Sequence, residues 1–208
     1  HTEIPKIELK FQDLSGLNFE HVNLSNSDFR WSNFNTTNIS SVDFTRANLS
    51  YTDLSGKDLT GTILTGSDLS YTNLTDVDLS GKDLTGTILT GVDLPGMDLT
   101  GTILTRADLS YTNLTGVDLS GKDLTQTILT GSDLSHTNLT GIDLSGTILT
   151  GVDLSGKDLT GTILTGVDLS GNYLSNAILI NANFENATLV NTKFLDANLD
   201  SAILTNAN

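Results

Sequence analysis

The sequence contains no cysteine, so disulfides, thiolate nucleophiles and thiolate metal sites are all excluded. Basic residues are scarce, 10 Lys and Arg against 25 Asp and Glu, giving a formal net charge of −15. A surface of that sign repels phosphates, which argues against direct nucleic-acid binding. The three histidines, His1, His21 and His136, do not stand at metal-ligand or triad spacing from one another. With neither thiols nor paired imidazoles, a zinc site or a nucleophilic triad has little to be built from. The chain is therefore read as non-enzymatic, with no catalytic residue, cofactor or metal ligand to nominate. No apolar run approaches the roughly 18 residues that a membrane-spanning helix needs. Nothing at the start resembles a signal peptide, so the expectation is a soluble protein of unspecified compartment.

What the sequence does contain is a five-residue beat. From Leu9 to Leu204 every fifth residue is Leu, Phe or Ile, and 33 of these 40 centres are Leu, so no insertion or deletion interrupts the register. Two before each centre lies an inner slot, mostly small or β-branched, as in Thr62, Val77, Ala107, Ser132 and Ala182. One before it lies an outer slot, usually Asp or Asn. One after it comes Ser or Thr from Ser40 to Ser175, except at Pro95. Two after it fall all 19 glycines. A slot that collects every glycine, and Asn at 176, 181, 186 and 191, is one that requires positive φ. Pro95-Gly96 is the pair favoured at the centre of a type II turn. Each beat is thus a short extended segment followed by a corner. Side chains alternate along extended chain, so the centre and the inner slot share the buried face. Glycine in almost every turn argues against a helix.

The beats Ala47-Asn48-Leu49-Ser50-Tyr51, Ala107-Asp108-Leu109-Ser110-Tyr111 and Ala182-Asn183-Phe184-Glu185-Asn186 resemble the pentapeptide-repeat family, whose motif is A(D/N)LXX. The resemblance runs over nearly the whole chain. It implies an all-β fold, a right-handed quadrilateral parallel β-helix with four beats, or 20 residues, per coil. About ten coils at a strand spacing of roughly 4.8 Å make a rod on the order of 50 Å long. Residues 1–8 are read as a lead-in or cap, and 9–208 as one continuous solenoid. The bulky centres Phe19, Phe29, Phe34 and Phe44, with Phe184 and Phe194, read as plugs towards the two ends.

A 20-residue coil predicts surface columns. Phe11, Trp31, Tyr51, Tyr71 and Tyr111 share one corner, interrupted by Gly91, and form a candidate interaction stripe or a ladder of rings stacked on one another. Asp58, Asp78, Asp98 and Asp118 form a candidate acidic ladder, whose carboxylates either recruit cations or accept hydrogen bonds from turn amides. The resemblance also carries a function. The family's quinolone-resistance members mimic an acidic duplex and occupy type II topoisomerases. Here −15 over about 50 Å is roughly half the charge density of duplex DNA. Ice or cation binding along surface Thr or Asp ladders is a third possibility.

The module Ser-Gly-Lys-Asp-Leu recurs with Lys57, Lys82, Lys122 and Lys157, each in an inner slot. Met97 fills the same slot in Pro95-Gly96-Met97-Asp98-Leu99. The expectation is that each lysine stem packs at the corner while its ammonium reaches out to Asp58, Asp83, Asp123 or Asp158. The modules recur at spacings that rotate them round the coil, which favours a rod valued for length and stiffness over a single reading face. The reading is a rigid β-solenoid acting as a structural or protein-protein interaction module with an unidentified protein partner. A homodimer through a solenoid end or the aromatic corner is the candidate assembly.

Overall fold

The computed structural model describes residues 6–208. The first five residues of the expected lead-in lie outside the described residues, while Ile7 and Glu8 already stand in the first beat. The Ile7 carbonyl accepts the Asp28 N–H at 2.8 Å, and Glu8 bridges Asp28 in parallel.

Parallel bridges link residues 20 apart, as in Asp13 to Asn33, Asn18 to Asn38 and Asn23 to Asp43, so one coil is four beats. The result is a right-handed quadrilateral β-helix with four faces. Face 1 carries the centres Leu9, Phe29 and Leu49; face 2 Leu14, Phe34 and Leu54; face 3 Phe19, Ile39 and Leu59; face 4 Leu24, Phe44 and Leu64. The series continues to the end of the chain, and face 1 stands opposite face 3.

Every corner is closed by a β-turn. Except at the first corner, where the Gln12 N–H donates to Ser32 Oγ, the N–H of the next inner slot donates to the centre's carbonyl, as in Val22 to Phe19 at 2.8 Å and Ala47 to Phe44 at 2.8 Å. The residue two after each centre has φ between +54° and +74°, whether glycine or not, and its predecessor does not have positive φ. That pattern is the type II turn. The outer slot locks the same corner from outside, because its side-chain oxygen accepts the amide two residues on. Ser55 to Asp53 and Thr45 to Asp43 are examples at 3.0 and 2.9 Å. This is the Asx turn, and it explains why Asp and Asn fill the slot.

The centres stack into one continuous core, with the leucines from Leu49 to Leu179 almost fully buried. Each contributes roughly 1.5–3 kcal/mol of burial. Phe29, Phe34 and Phe44 fill the early coils with centroids 5.7 to 6.4 Å apart, and Phe184 meets Phe194 edge-on at 6.2 Å. Inner-slot threonines tie coil to coil. Thr62, Thr87, Thr102 and Thr112 donate their hydroxyls to the centre carbonyls of Ile39, Leu64, Leu79 and Leu89, 23 residues earlier, at 2.8 to 3.0 Å. A buried hydroxyl thereby gains the acceptor that its burial requires.

The four faces are not equally knit. Face 1 is bridged without a break from Glu8 to Ile148. Face 3 has no bridge between Asn38 and Asp118, the run that contains Asp58, Asp78 and Asp98.

Candidate functional site

The aromatic column is a physical stack. Phe11 and Trp31, Trp31 and Tyr51, and Tyr51 and Tyr71 have centroids 6.4, 4.2 and 5.0 Å apart, with ring planes within 15° of parallel. All of these residues, and Tyr111, have φ between +55° and +61°. A left-handed conformation costs an L-residue roughly 1–2 kcal/mol. Stacking returns about 0.5–1.5 kcal/mol per pair, so the ladder approximately offsets the strain of its own corner. It ends because Tyr71 lies across Gly91, where an added Cβ would come within 2.3 Å of the ring. Tyr111 likewise lies across Gly131. The ring faces are largely spent on one another and the edges face solvent.

The acidic column is locked to its own turns. Asp58, Asp78, Asp98 and Asp118 accept the amides of Thr60, Ser80, Thr100 and Ser120 at 2.8 to 2.9 Å. Hydrogen bonds from these hydroxyl residues hold all four carboxyls below the ordinary 3.8. One oxygen of each, Oδ1, is therefore committed to backbone. Among the described residues, no group of three or more His, Cys, Asp or Glu side chains could hold a metal ion. Face 2 relieves repulsion differently: Asn33 and Asn73 donate across coils to Asp13 and Asp53, each at 3.0 Å.

The lysines correct the expectation of acidic partners. Among the described residues none of the four forms an ion pair with Asp58, Asp83, Asp123 or Asp158. Each ammonium turns inward instead, to backbone carbonyls of the preceding coil. Lys57 donates to Thr37 at 3.1 Å, Lys82 to Leu59, Lys122 to Leu99 and Thr102, and Lys157 to Leu134. The reason is that the lysines act as wedges. Around Lys57 the bridges Asn33–Asp53 and Asn38–Asp58 are missing from faces 2 and 3. Around Lys82 and Lys122 the same happens on faces 3 and 4, and around Lys157 on faces 2 and 3 again. A side chain longer than threonine holds the coils apart at its corner, which releases carbonyls on both flanking faces. The ammonium takes one of these at Lys57 (Thr37) and Lys122 (Thr102). Lys82, Lys122 and Lys157 also or instead bond a centre carbonyl that keeps its turn amide. Desolvation pushes the Lys57 and Lys157 amines below 10.5, with neighbouring aspartates (Asp53; Asp133 and Asp153) opposing it. Asn172 works similarly, its amide donating to the Leu149 and Val152 carbonyls at 2.8 and 3.3 Å.

The model of "Pentapeptide repeats" matches eight copies along the chain, in overlapping stretches including 8–40, 43–81, 107–146 and 168–206. The chain belongs to the pentapeptide-repeat family. Among solved structures it is similar to HetL, a pentapeptide-repeat protein involved in heterocyst differentiation regulation in the cyanobacterium Nostoc. The identity is 27%, over 97% of this chain and 88% of HetL, with a TM-score of 0.56. A thylakoid-lumen pentapeptide-repeat protein of Arabidopsis thaliana matches at 27% over 51% of this chain and 68% of its own, TM-score 0.23. The plasmid-mediated fluoroquinolone resistance protein QnrB1 matches at 17% over 97% and 92%, TM-score 0.30. No curated protein matches the sequence.

In this pentapeptide-repeat protein the parted seams open as shallow clefts. One of about 720 Å³ lies at the Lys157 seam between Gly131–Thr137 and Gly151–Asp158. Smaller ones of about 400 and 270 Å³ lie between Met97 and Lys122 and between Tyr71 and Asp93. Sequence reasoning located the wedging residues but missed the seams, which arise only when two coils are laid together. No described helix is long and apolar enough to cross a membrane.

Proposed function

We propose that this chain is a rigid, non-catalytic spacer and protein-interaction module. The observation that supports this reading most directly is the uninterrupted leucine core. It fills the rod and leaves shallow polar clefts, while the outer carboxylates, amides and hydroxyls are largely committed to the corners that shape the coil. The aromatic edges at Trp31, Tyr51 and Tyr71 supply a contact stripe for a protein partner or a second copy. HetL, which matches over most of the length, is described as acting in regulation, in keeping with a binding role.

A second reading follows from charge. A rod with −15 spread over all its faces presents a DNA-like acidic surface, which supports topoisomerase binding in the manner of the family's quinolone-resistance members. Two measurements separate the readings. Small-angle X-ray scattering on the spacer is expected to fit a stiff rod of roughly 50 Å, and sedimentation should report whether Trp31→Gly and Tyr51→Gly reduce self-association. Addition of the protein to a gyrase supercoiling reaction should leave the rate unchanged. Inhibition that persists at physiological salt would replace the spacer with the mimic.

A further inference from the structure

The seam opened by Met97 differs from the four lysine seams in a way that builds a site. Met97 wedges the coils apart as the lysines do: the bridges Asn73–Asp93 and Asp78–Asp98 are both missing. Its thioether packs on the core, however, and brings no ammonium. The carbonyls of Thr72 and Asp93, which the ladder would otherwise occupy, have no backbone partner in the seam.

Two further departures converge there. The residue after Leu94 is Pro95, which has no N–H to give. Apart from the terminal Asn208, Asp93 is consequently the one outer-slot Asp or Asn among the described residues whose side chain accepts no turn amide. Compare Asp53, Asp133 and Asp153, which take those of Ser55, Ser135 and Ser155 on the same face. Gly91, in turn, ends the aromatic stack and lets the Tyr71 ring lie down over the seam. Tyr71, Asn73, Leu74, Gly91 and Asp93 together line a cleft of about 270 Å³.

We infer that this cleft binds the side-chain cation of a lysine or arginine on a basic partner segment. The ligand chemistry is written in the molecule four times over, because at every lysine seam an ammonium donates to a backbone carbonyl of the coil below. Here the cation has to come from outside. Beside the released carbonyls of Thr72 and Asp93, the cleft offers it an aromatic ring for cation–π contact and a carboxylate not committed to a turn. The net charge of −15 draws basic segments toward it.

The inference rests on the interaction-module reading and gives it one site and one partner chemistry. Its test is an NMR titration of the full chain with an acetylated hexalysine peptide, following backbone amides. Shifts are expected to concentrate at Tyr71, Leu74 and Asp93. Three variants use residues that the repeat already tolerates in those slots. Met97→Lys should supply an internal ammonium, Pro95→Ser should return Asp93 to its turn, and Tyr71→Gly should remove the ring. Each should weaken binding at least fivefold, whereas Thr140→Lys, which adds the same charge as Met97→Lys on a distant exposed turn, should stay within twofold of the parent. Shifts spread evenly along the aspartate columns would overturn the inference. So would equal binding by the Met97→Lys and Thr140→Lys proteins, or parent-like binding by the Pro95→Ser protein. Those outcomes leave the spacer reading intact if scattering still reports a stiff rod, whereas a flexible chain in scattering removes the spacer reading itself.

Discussion

Faces 1 and 3 are built from the same beat and end up with opposite character. Face 1 carries Ala47, Ser67, Thr87, Ala107 and Thr127 in its inner slots, and its ladder is continuous across them. Face 3 carries Lys57, Val77, Met97 and Val117, and its ladder is absent over the same coils. The centres are leucine in both and equally buried, so the hydrophobic core does not decide how tightly coils pair. The inner slot does. Threonine adds a hydroxyl that pulls the coil down onto the carbonyl below. Lys82, Lys122 and Lys157 bond the equivalent carbonyl on a longer stem and Met97 offers it no donor, so lysine and methionine prop the coil up.

The strongest way to break this contrast is to move a wedge onto face 1. Ala107→Lys should open faces 1 and 4 around that corner. It should cost about 3 kcal/mol, from several backbone hydrogen bonds at roughly 1 kcal/mol each, partly offset by the new ammonium contacts. Urea denaturation gives the loss, and hydrogen exchange at Leu84, Gly86 and Leu89 locates it. An unchanged midpoint would show that slot size does not govern pairing. The converse exchange, Lys82→Thr, should close a seam and stabilise by about 1–2 kcal/mol. Slowed exchange at Leu59, Gly61 and Leu64 would mark the restored ladder, and continued rapid exchange there would contradict the wedge.

Acid should act more gently, and through the outer slots. The carboxyls of Asp58, Asp78, Asp98 and Asp118 lie below 3.8 when folded, so the unfolded chain binds more protons as pH falls. The stability these groups contribute is complete above about pH 5 and drains away below about pH 4. Asparagine makes the same turn without titrating. A quadruple Asp→Asn variant at these positions should therefore show a flatter loss of stability between pH 5 and 2, and an unaltered slope would count against the Asx bonds. The smallest effect is expected at the aromatic corner. Tyr51→Gly relieves a positive φ but removes two stacking contacts, so the midpoint should move by less than about 1 kcal/mol in either direction.

Much of this was legible in the sequence, because a strict period makes each residue's role readable from its slot. Gly56 and Asn176 marked positive φ, Pro95-Gly96 gave the turn type, and spacing by 20 placed Trp31 beside Tyr51. The coil size itself came from the family resemblance, and the bridges between residues 20 apart now show it directly. The lysine partners were not legible. Asp58 and Asp123 looked like neighbours in sequence, but an outer-slot carboxylate faces away from an inner-slot ammonium and is occupied by its own turn. The carbonyls that replaced them lie one coil back, 20 or 23 residues away in sequence. Asp93 was the signal that could have been found: a proline two residues on, with no amide to offer, is visible in the sequence alone.

The five wedges at 57, 82, 97, 122 and 157 all sit at the two corners flanking face 3. In mechanical terms the rod is a beam with its fibres cut along one side. From Glu8 to Ile148 face 1 is the inextensible chord, and the slits opposite widen or shut as the beam curves. Such a beam bends easily in the plane that joins faces 1 and 3 and resists bending across it. Its small thermal shape fluctuations are then directional, and a partner gripping both ends would feel a stiff post that yields slightly in one plane.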